Sequence, residues 1–442
     1  MFTKKYLRRL IIPLIFEQIL AVTVGMADIV MVTSAGEAAV AGVSLVDTVN
    51  VLIIGLFSAL ATGGAVVSAQ YIGQKKQKEA CQAANQLVLV TVSLSMCIML
   101  LATIGCSGIL RLIYGDVSAT IFANAKTYFF ISALSYPFIA LYNACAALFR
   151  SMGNSRITLI TSLIMNALNV LGNAILIYGF HKGVWGAAVA TLIARIAAAL
   201  IMTVLIRNEK LQIHIDKKLR LGYHKVMIKR ILGIGIPNGL ENSIFQVGKI
   251  LVARIILLSG ETAVAANAIA NTMAGIEVLP GSAMGLALIT IIGQCVGARD
   301  YEGAKTYTKR LMKFTYIFMA ILNLSILLLI NPVMGIFGRL SQETADLAKQ
   351  LIIYHSITCV LAWPASFTLP NALRAASDVR YPMTISIISM WVWRIGFSFI
   401  LGPVAGLGVF GVWIAMSIDW VFRAVCFIHR FSKDKWMHRH VS

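Results

Sequence analysis

Residues 13–32, PLIFEQILAVTVGMADIVMV, and residues 237–256, PNGLENSIFQVGKILVARII, both open on a proline and carry a glutamate at the fifth position. Pro13 lies over Pro237 and Glu17 over Glu241. The same offset of 224 residues sets Gly36-Glu37 over Gly260-Glu261, Gln70 over Gln294, Gly73 over Gly297, Ala80 over Ala304 and Arg150 over Arg374. From Pro13 to Ala80 the register needs no gap. Hydrophobicity alone does not preserve such residues, so 1–230 and 231–442 read as two copies of one membrane unit, an arrangement that in transporters surrounds a shared pathway.

Composition sets the class. Hydrophobic residues make up 59% of the chain and charged residues 13%, against about a quarter charged in a soluble domain. Apolar runs long enough to span roughly 30 Å of hydrocarbon fall at 10–32, 43–71, 86–110, 127–149, 157–180, 184–206, 231–258, 267–296, 312–337, 350–373, 382–401 and 407–428. They predict an all-α integral membrane protein of twelve helices, six per half. An outer-membrane barrel would instead show alternating segments of about ten residues. The expected domains are a first six-helix lobe over 1–206, a basic cytoplasmic linker over 207–230 and a second lobe over 231–442.

Basic residues crowd the even-numbered gaps and the ends: Lys4, Lys5, Arg8 and Arg9; Lys75, Lys76 and Lys78; Arg150 and Arg156; and, between 207 and 230, Arg207, Lys210, Lys217, Lys218, Arg220, Lys225, Lys229 and Arg230. The odd-numbered gaps hold only Arg111, Lys126, Lys182, Arg339 and Lys349. Cytoplasmic loops retain Lys and Arg, so both termini are expected in the cytoplasm of a multi-pass cell-membrane protein. The net charge of +20 then reflects topology, and no nucleic-acid partner is expected, because the charges lie dispersed in short loops rather than on one folded face. The start of the chain resembles a signal peptide, but Pro13, Glu17 and Asp28 fit a mature first helix better. Seven cysteines with no CxxC pair and no His at ligand spacing indicate neither a disulfide framework nor a zinc site. No Walker A loop is present, so a pump of this kind would run on an ion gradient.

Ionisable residues at membrane depth are costly and are usually paired or turned to a cavity. The acidic ones are Glu17, Asp28, Asp47, Glu241, Glu277 and Asp419; the basic ones are Arg195, Lys249, Arg254, Arg394 and Arg423. Asp419 and Arg423 are four apart on one helix face and read as a structural ion pair. Asp28 has no basic neighbour in sequence, and such a carboxylate can exchange a proton or coordinate sodium with nearby oxygens. Glu17 lies three turns earlier on the same side of the helix, where it either joins Asp28 or bonds to a neighbouring helix. Asn166, Asn169 and Asn173 follow at spacings of three and four in MNALNVLGNAILIYG; they are either interhelical glue or part of a site.

These residues, with AQYIGQKK, LFRSMGNSR, GVWGAAVAT, GIPNGLE, IIGQCVGARDYEGAK, LRAASDVRYP and HRFSKDKW in order along nearly the whole chain, resemble the MATE (multidrug and toxic compound extrusion) transporters. The resemblance implies a V-shaped pair of six-helix lobes and a cation-coupled antiporter, driven by protons or sodium, that exports drugs or toxic organic compounds by alternating access. Implied partners are small-molecule drugs or organic cations and the lipid bilayer; a monomer without cofactors is expected. The family's helix 1 carboxylate falls on Asp28, the position the resemblance implies for a coupling sodium, and its partners on Asn169, Asn173 and Thr191. Many relatives have Asp at the position of Asn173, so this site carries one negative charge fewer. Helix 10 lacks the carboxylate that some branches use.

The second half differs in its chemistry. Val252 stands where Asp28 does, and Lys249 lies one turn before it. Lys249 reads either as a countercharge to Glu277 or Glu241 or as a residue that tunes what the cavity admits. With Asn166, these three form the expected substrate cavity. A flippase for lipid-linked oligosaccharide or cell-wall precursor, using Arg195, Lys249 and Arg394 on an anionic head group, is the alternative. A membrane-embedded enzyme is more distant, since no nucleophile with a partnered base is evident.

Overall fold

The computed structural model describes residues 2–115, 118–216, 222–337 and 341–437, and every regular element among them is helical. Lys217, Lys218, Arg220 and Arg339 lie outside the described residues. The chain divides into two compact units, Phe2–Gly239 and Leu240–Ser442.

The first unit contains α1 (Lys4–Thr33), α2 (Glu37–Gly73), α3 (Gln77–Ile104), α4 (Cys106–Tyr114), α5 (Ala119–Leu134), α6 (Tyr136–Ser151), α7 (Ser155–Asn173) and α8 (Gly183–Ile206). α7 runs on as a π-helical turn, Ala174–Gly179. Thr3 caps α1 by accepting from the Tyr6 N–H. α5 and α6 form one path bent by 47°. α2 packs on α3, α5 and α6, and α7 lies between α1 and α8. Past α8 the chain is fastened to α3: Asn85 accepts from the Asp216 N–H, and Gln86 bonds the His224 N–H and the Gly222 carbonyl. α9 (Lys225–Leu257) follows and passes from one unit into the other. Its first turns meet α2 backbone to backbone, because a Cβ on Gly63 would stand 2.9 Å from the Gly235 nitrogen.

The second unit continues with α10 (Glu261–Glu277), α11 (Leu279–Gly297), α12 (Tyr301–Leu328), α13 (Ile330–Ile336), α14 (Gln342–Trp363), α15 (Leu369–Ala375), α16 (Arg380–Ser389), α17 (Phe397–Phe399) and α18 (Gly408–Ser432). π-Helical turns at Pro364–Thr368, Met390–Gly396 and Ile400–Val404 join α14 to α15, α16 to α17, and α17 to the loop before α18. By length and composition ten helices among the described residues qualify as spans, and eleven when α5 and α6 count as one. The expected span 231–258 is not among them, since Asn238, Glu241, Asn242, Gln246 and Lys249 interrupt its apolar run. The expected span 267–296 is broken at Val278 into α10 and α11.

The 224-residue register is visible in the backbone. Four of the described helices end in Schellman motifs, in which the second residue past the helix is left-handed and the next N–H reaches back five residues. α2 ends so at Lys75 (φ 59°) and α11 at Arg299 (φ 59°); α6 ends so at Gly153 (φ 74°) and α15 at Ser377 (φ 66°). Both pairs are 224 apart. Glu17 and Arg150 meet at 3.2 Å in the first unit, and Glu241 and Arg374, their counterparts, meet at 2.6 Å in the second. Beyond this the offset changes. The Phe180 N–H bonds the Ile175 carbonyl as the Ala405 N–H bonds that of Ile400, and left-handed Gly183 answers Gly408, all at 225. The second unit therefore holds one extra residue between Asp378 and Ile400, where the π-helical turn Met390–Gly396 gives a fifth residue per hydrogen-bonded turn room.

Candidate functional site

In the first unit, Asp28 lies near the end of α1, half-buried, opposite the buried amides of Asn169 and Asn173 on α7. The Asn173 side chain donates to the Asp28 carboxylate at 2.9 Å. Asn169 bridges Asp28 and Thr191 of α8. With its Nδ2 turned to Asp28 (2.6 Å), its Oδ1 accepts from the Thr191 hydroxyl (2.9 Å); turned the other way, its Nδ2 donates to Thr191 and its oxygen faces Asp28. An ionised carboxylate only accepts, so it selects the first orientation. A protonated one can donate to the amide oxygen and so selects the second. Asp28, Asn169, Asn173 and Thr191 are thus one hydrogen-bonded group across α1, α7 and α8. Asn166 is not part of it and bonds Ser162 on its own helix at 3.3 Å.

Two further groups belong to this neighbourhood. Arg195, one turn past Thr191 on α8, lies within electrostatic reach of both Asp28 and Asp47, so Asp28, unaccompanied in sequence, has a basic neighbour in space. The Arg195 guanidinium donates to the Ser135 hydroxyl at the α5–α6 bend (2.6 Å). Asp47 on α2 accepts from Asn50 (3.4 Å), which in turn accepts from the Tyr136 hydroxyl (2.8 Å). Glu17 is placed elsewhere: α1 holds it about 16 Å along the axis from Asp28, and it accepts from Arg150 and from the Thr158 hydroxyl (2.9 Å).

In the second unit, Glu241 lies in the middle of α9 and is buried, bound by Arg374 (2.6 Å), Arg423 (3.6 Å) and the Ser386 hydroxyl (2.7 Å). The expected Asp419–Arg423 pair does not form. Four-residue spacing puts both on one face of α18, but α9 brings Glu241 to Arg423, while the π-helical turn brings Arg394 to Asp419 (3.4 Å) and Ser389 donates to the same carboxylate. Lys249 is not the countercharge of either glutamate: Glu241 is held by arginines, and Glu277 by His355 and the Ser356 hydroxyl (2.7 Å). The Lys249 ammonium instead stands 5.2 Å from the centre of the Phe245 ring.

Glu277, His355 and Cys359 are all buried, and their ligand atoms lie within 4.8 Å of one another. The indole rings of Trp413 and Trp420 meet His355 edge-on at 5.4 and 5.3 Å. A carboxylate, an imidazole and a thiol form a donor set of the kind zinc takes. His355 and Cys359 are four apart on α14, a helix-face spacing and not a CxxC pair; the third donor comes from α10 and leaves no trace in local sequence.

The chain and its fold have relatives. The MatE family model matches residues 13–175 and 235–400. The uncharacterized transporter YisQ of Bacillus subtilis is 26% identical over 97% of this chain and 94% of its own length. The probable multidrug resistance protein NorM of Thermotoga maritima is 26% identical over 99% of this chain and 94% of its own. Among solved structures, an outward-facing multidrug resistance MATE family transporter superposes with a TM-score of 0.91 at 20% identity, covering 98% of this chain and 96% of that one. A MOP superfamily transporter from Pyrococcus furiosus, described for the reverse polarity of its binding pocket, gives 0.90 at 21%, covering 99% and 97%. The shared all-helical fold and the two matched segments establish that the chain belongs to the MatE family, as a multi-pass membrane secondary transporter and not an enzyme.

Proposed function

We propose that this transporter exports small organic molecules from the cytoplasm across the cell membrane by alternating access, driven by inward movement of a proton or sodium ion through Asp28. The observation that carries this reading is the bonded group Asp28–Asn173–Asn169–Thr191, because the charge state of one carboxylate decides which way the Asn169 amide turns and therefore whether Thr191 donates or accepts. Protonation on α1 is felt on α8 within two hydrogen bonds. A ligand moves a conformational equilibrium only through differential affinity, and in this scheme the two ionisation states of Asp28 favour two arrangements of α1 against α7 and α8. Both termini and the 207–230 connection lie on the cytoplasmic side, the lobes are those expected from the repeat, and the working unit is a monomer in the bilayer. Asn169, Asn173 and Thr191 act with Asp28, while Glu17 and Glu241 tie helices together.

The test uses purified protein in liposomes under an imposed pH or sodium gradient, following a fluorescent organic cation. Efflux driven by one gradient and lowered at least about tenfold in Asp28→Asn is expected, a loss of about 1.4 kcal/mol or more in coupling. Thr191→Val should weaken coupling less, because Asp28 keeps Asn173. Gradient-driven efflux retained by folded Asp28→Asn would overturn the assignment. Absence of transport under both gradients would favour a flippase reading.

A further inference from the structure

The second unit carries more positive than negative charge around one aromatic ring. Lys249 (α9), Arg394 (the π-helical turn) and Arg423 (α18) place their cationic heads 5.2, 5.7 and 5.9 Å from the centre of Phe245. With Arg374, four cations stand against two carboxylates: Glu241 serves Arg374 and Arg423, and Asp419 serves Arg394. No ion pair reaches Lys249 among the described residues, and its side chain is open to space.

Lys249 does not relieve this by reaching for the outer surface. Helix side chains lean toward the N-terminus, and the ammonium lies over Phe245, one turn back toward the middle of α9. A bare ammonium against lipid at that depth is costly, and a bound anion would offset that cost. Arg394, only 11% exposed, is aimed at the same ring from the turn that accommodates the extra residue of the second unit. Gly248 lets that turn approach, since a Cβ there would collide with the Met390 side chain. In the first unit the position matching Lys249 is Gly25.

We propose that Lys249 and Arg394 with Phe245 form a binding site for an organic anion: a carboxylate, sulfonate or phosphate carried on a flat apolar body. The ammonium supplies the unneutralised charge, the guanidinium adds directed N–H donors, and the phenyl ring packs the body of the ligand. This deepens the export reading by naming a substrate class, and it rests on that reading only for the step of transport.

Binding of two xanthene dyes to the detergent-purified protein tests it by fluorescence anisotropy: fluorescein, an anion, and rhodamine 123, a cation of nearly the same shape. Lys249→Gln breaks no ion pair and should fold. It is expected to weaken fluorescein about tenfold, the scale of about 1.4 kcal/mol, while leaving rhodamine 123 within about twofold; Lys249→Arg should restore fluorescein binding. Unchanged fluorescein affinity in Lys249→Gln, or equal losses for both dyes, would overturn the site. Competition identifies the source of the anion. Displacement of fluorescein by phosphatidylglycerol micelles and not by naphthalene-2-sulfonate assigns the site to a lipid head group, and the reverse to a soluble organic anion. Displacement by neither refutes it. Binding needs no gradient, so loss of driven efflux with fluorescein binding intact would remove the export reading and leave the site standing.

Discussion

Replacing Glu17 and Glu241 by glutamine separates helix ties from ion coupling. Each glutamate is buried against the arginine that matches in the repeat, but their loads differ. Glu17 faces Arg150 at 3.2 Å, with side chains 11% and 16% exposed. Glu241 faces Arg374 at 2.6 Å and Arg423 at 3.6 Å, with side chains 7%, 10% and 3% exposed. At a common dielectric the attraction scales as inverse distance, so Glu241 holds about twice the Coulomb energy of Glu17. Removing one partner of a buried pair costs about 3–5 kcal/mol. Glu17→Gln should fall at the lower end, since a glutamine still accepts from Thr158. Glu241→Gln, which leaves the Arg374 guanidinium without its anion and removes one of the two carboxylates acting on Arg423, should reach the upper end. The assay is the apparent melting temperature of detergent-purified protein, read as the monodisperse fraction after heating, beside gradient-driven efflux per folded molecule. The expected order of stability is wild type, then Glu17→Gln, then Glu241→Gln, with coupling retained in Glu17→Gln. If Glu17→Gln melts like wild type yet no longer couples efflux to the gradient, Glu17 belongs to the coupling site and the reasoning fails; it fails equally if Glu241→Gln is no less stable than Glu17→Gln.

Two other expectations concern the repeat and the helix contacts. Ser377→Gly should raise the apparent melting temperature, relieving about 1 kcal/mol of left-handed backbone cost, whereas Gly153→Ala should lower it, since a Cβ there collides with the Tyr6 ring as well; equal shifts in both would refute the shared conformation. Gly63→Ala should cost about 1–3 kcal/mol by overpacking, because the obstacle is the Gly235 nitrogen and the Ile231 carbonyl rather than a side chain that can move; an unchanged melt would show that α2 and α9 part easily.

The fold was legible because it is written twice. Proline, glutamate, glycine and arginine recur at one offset, and the structure repeats them as matched ion pairs and matched helix ends. The one-residue change of register was not legible, for the offset was fixed from Pro13 to Ala80 and at Arg150, all before the insertion. Of the first-unit group, Asp28, Asn169 and Asn173 stood out by their local spacing along α1 and α7 and Thr191 by the family resemblance, while Asn166, singled out with them, bonds Ser162 instead. The group's neighbours Arg195, Asp47 and Asn50 were not legible, because their roles depend on which helices α2 and α8 touch. The same limit explains Asp419 and Arg423. Periodicity placed both on one face of α18, but ion pairing is a competition, and the winning partners came from α9 and the π-helical turn. For the same reason Lys249 looked like a counterion in sequence and stands without one in space.

What the two units share and what they do not divides their groups by task. A feature kept in both copies must suit both environments, and those kept here are helix ends and the glutamate–arginine tie, which are requirements of the bundle itself. A feature present in one copy only is free of that constraint. Asp28 has Val252 opposite it in the register, Lys249 has Gly25, and the turn that aims Arg394 includes a residue the first unit lacks. Such groups are costly at bilayer depth and add nothing that the other copy needs in order to fold. Their presence in one unit only accords with the two roles proposed above: a carboxylate that exchanges a cation in the first, and fixed positive charge for an anion in the second.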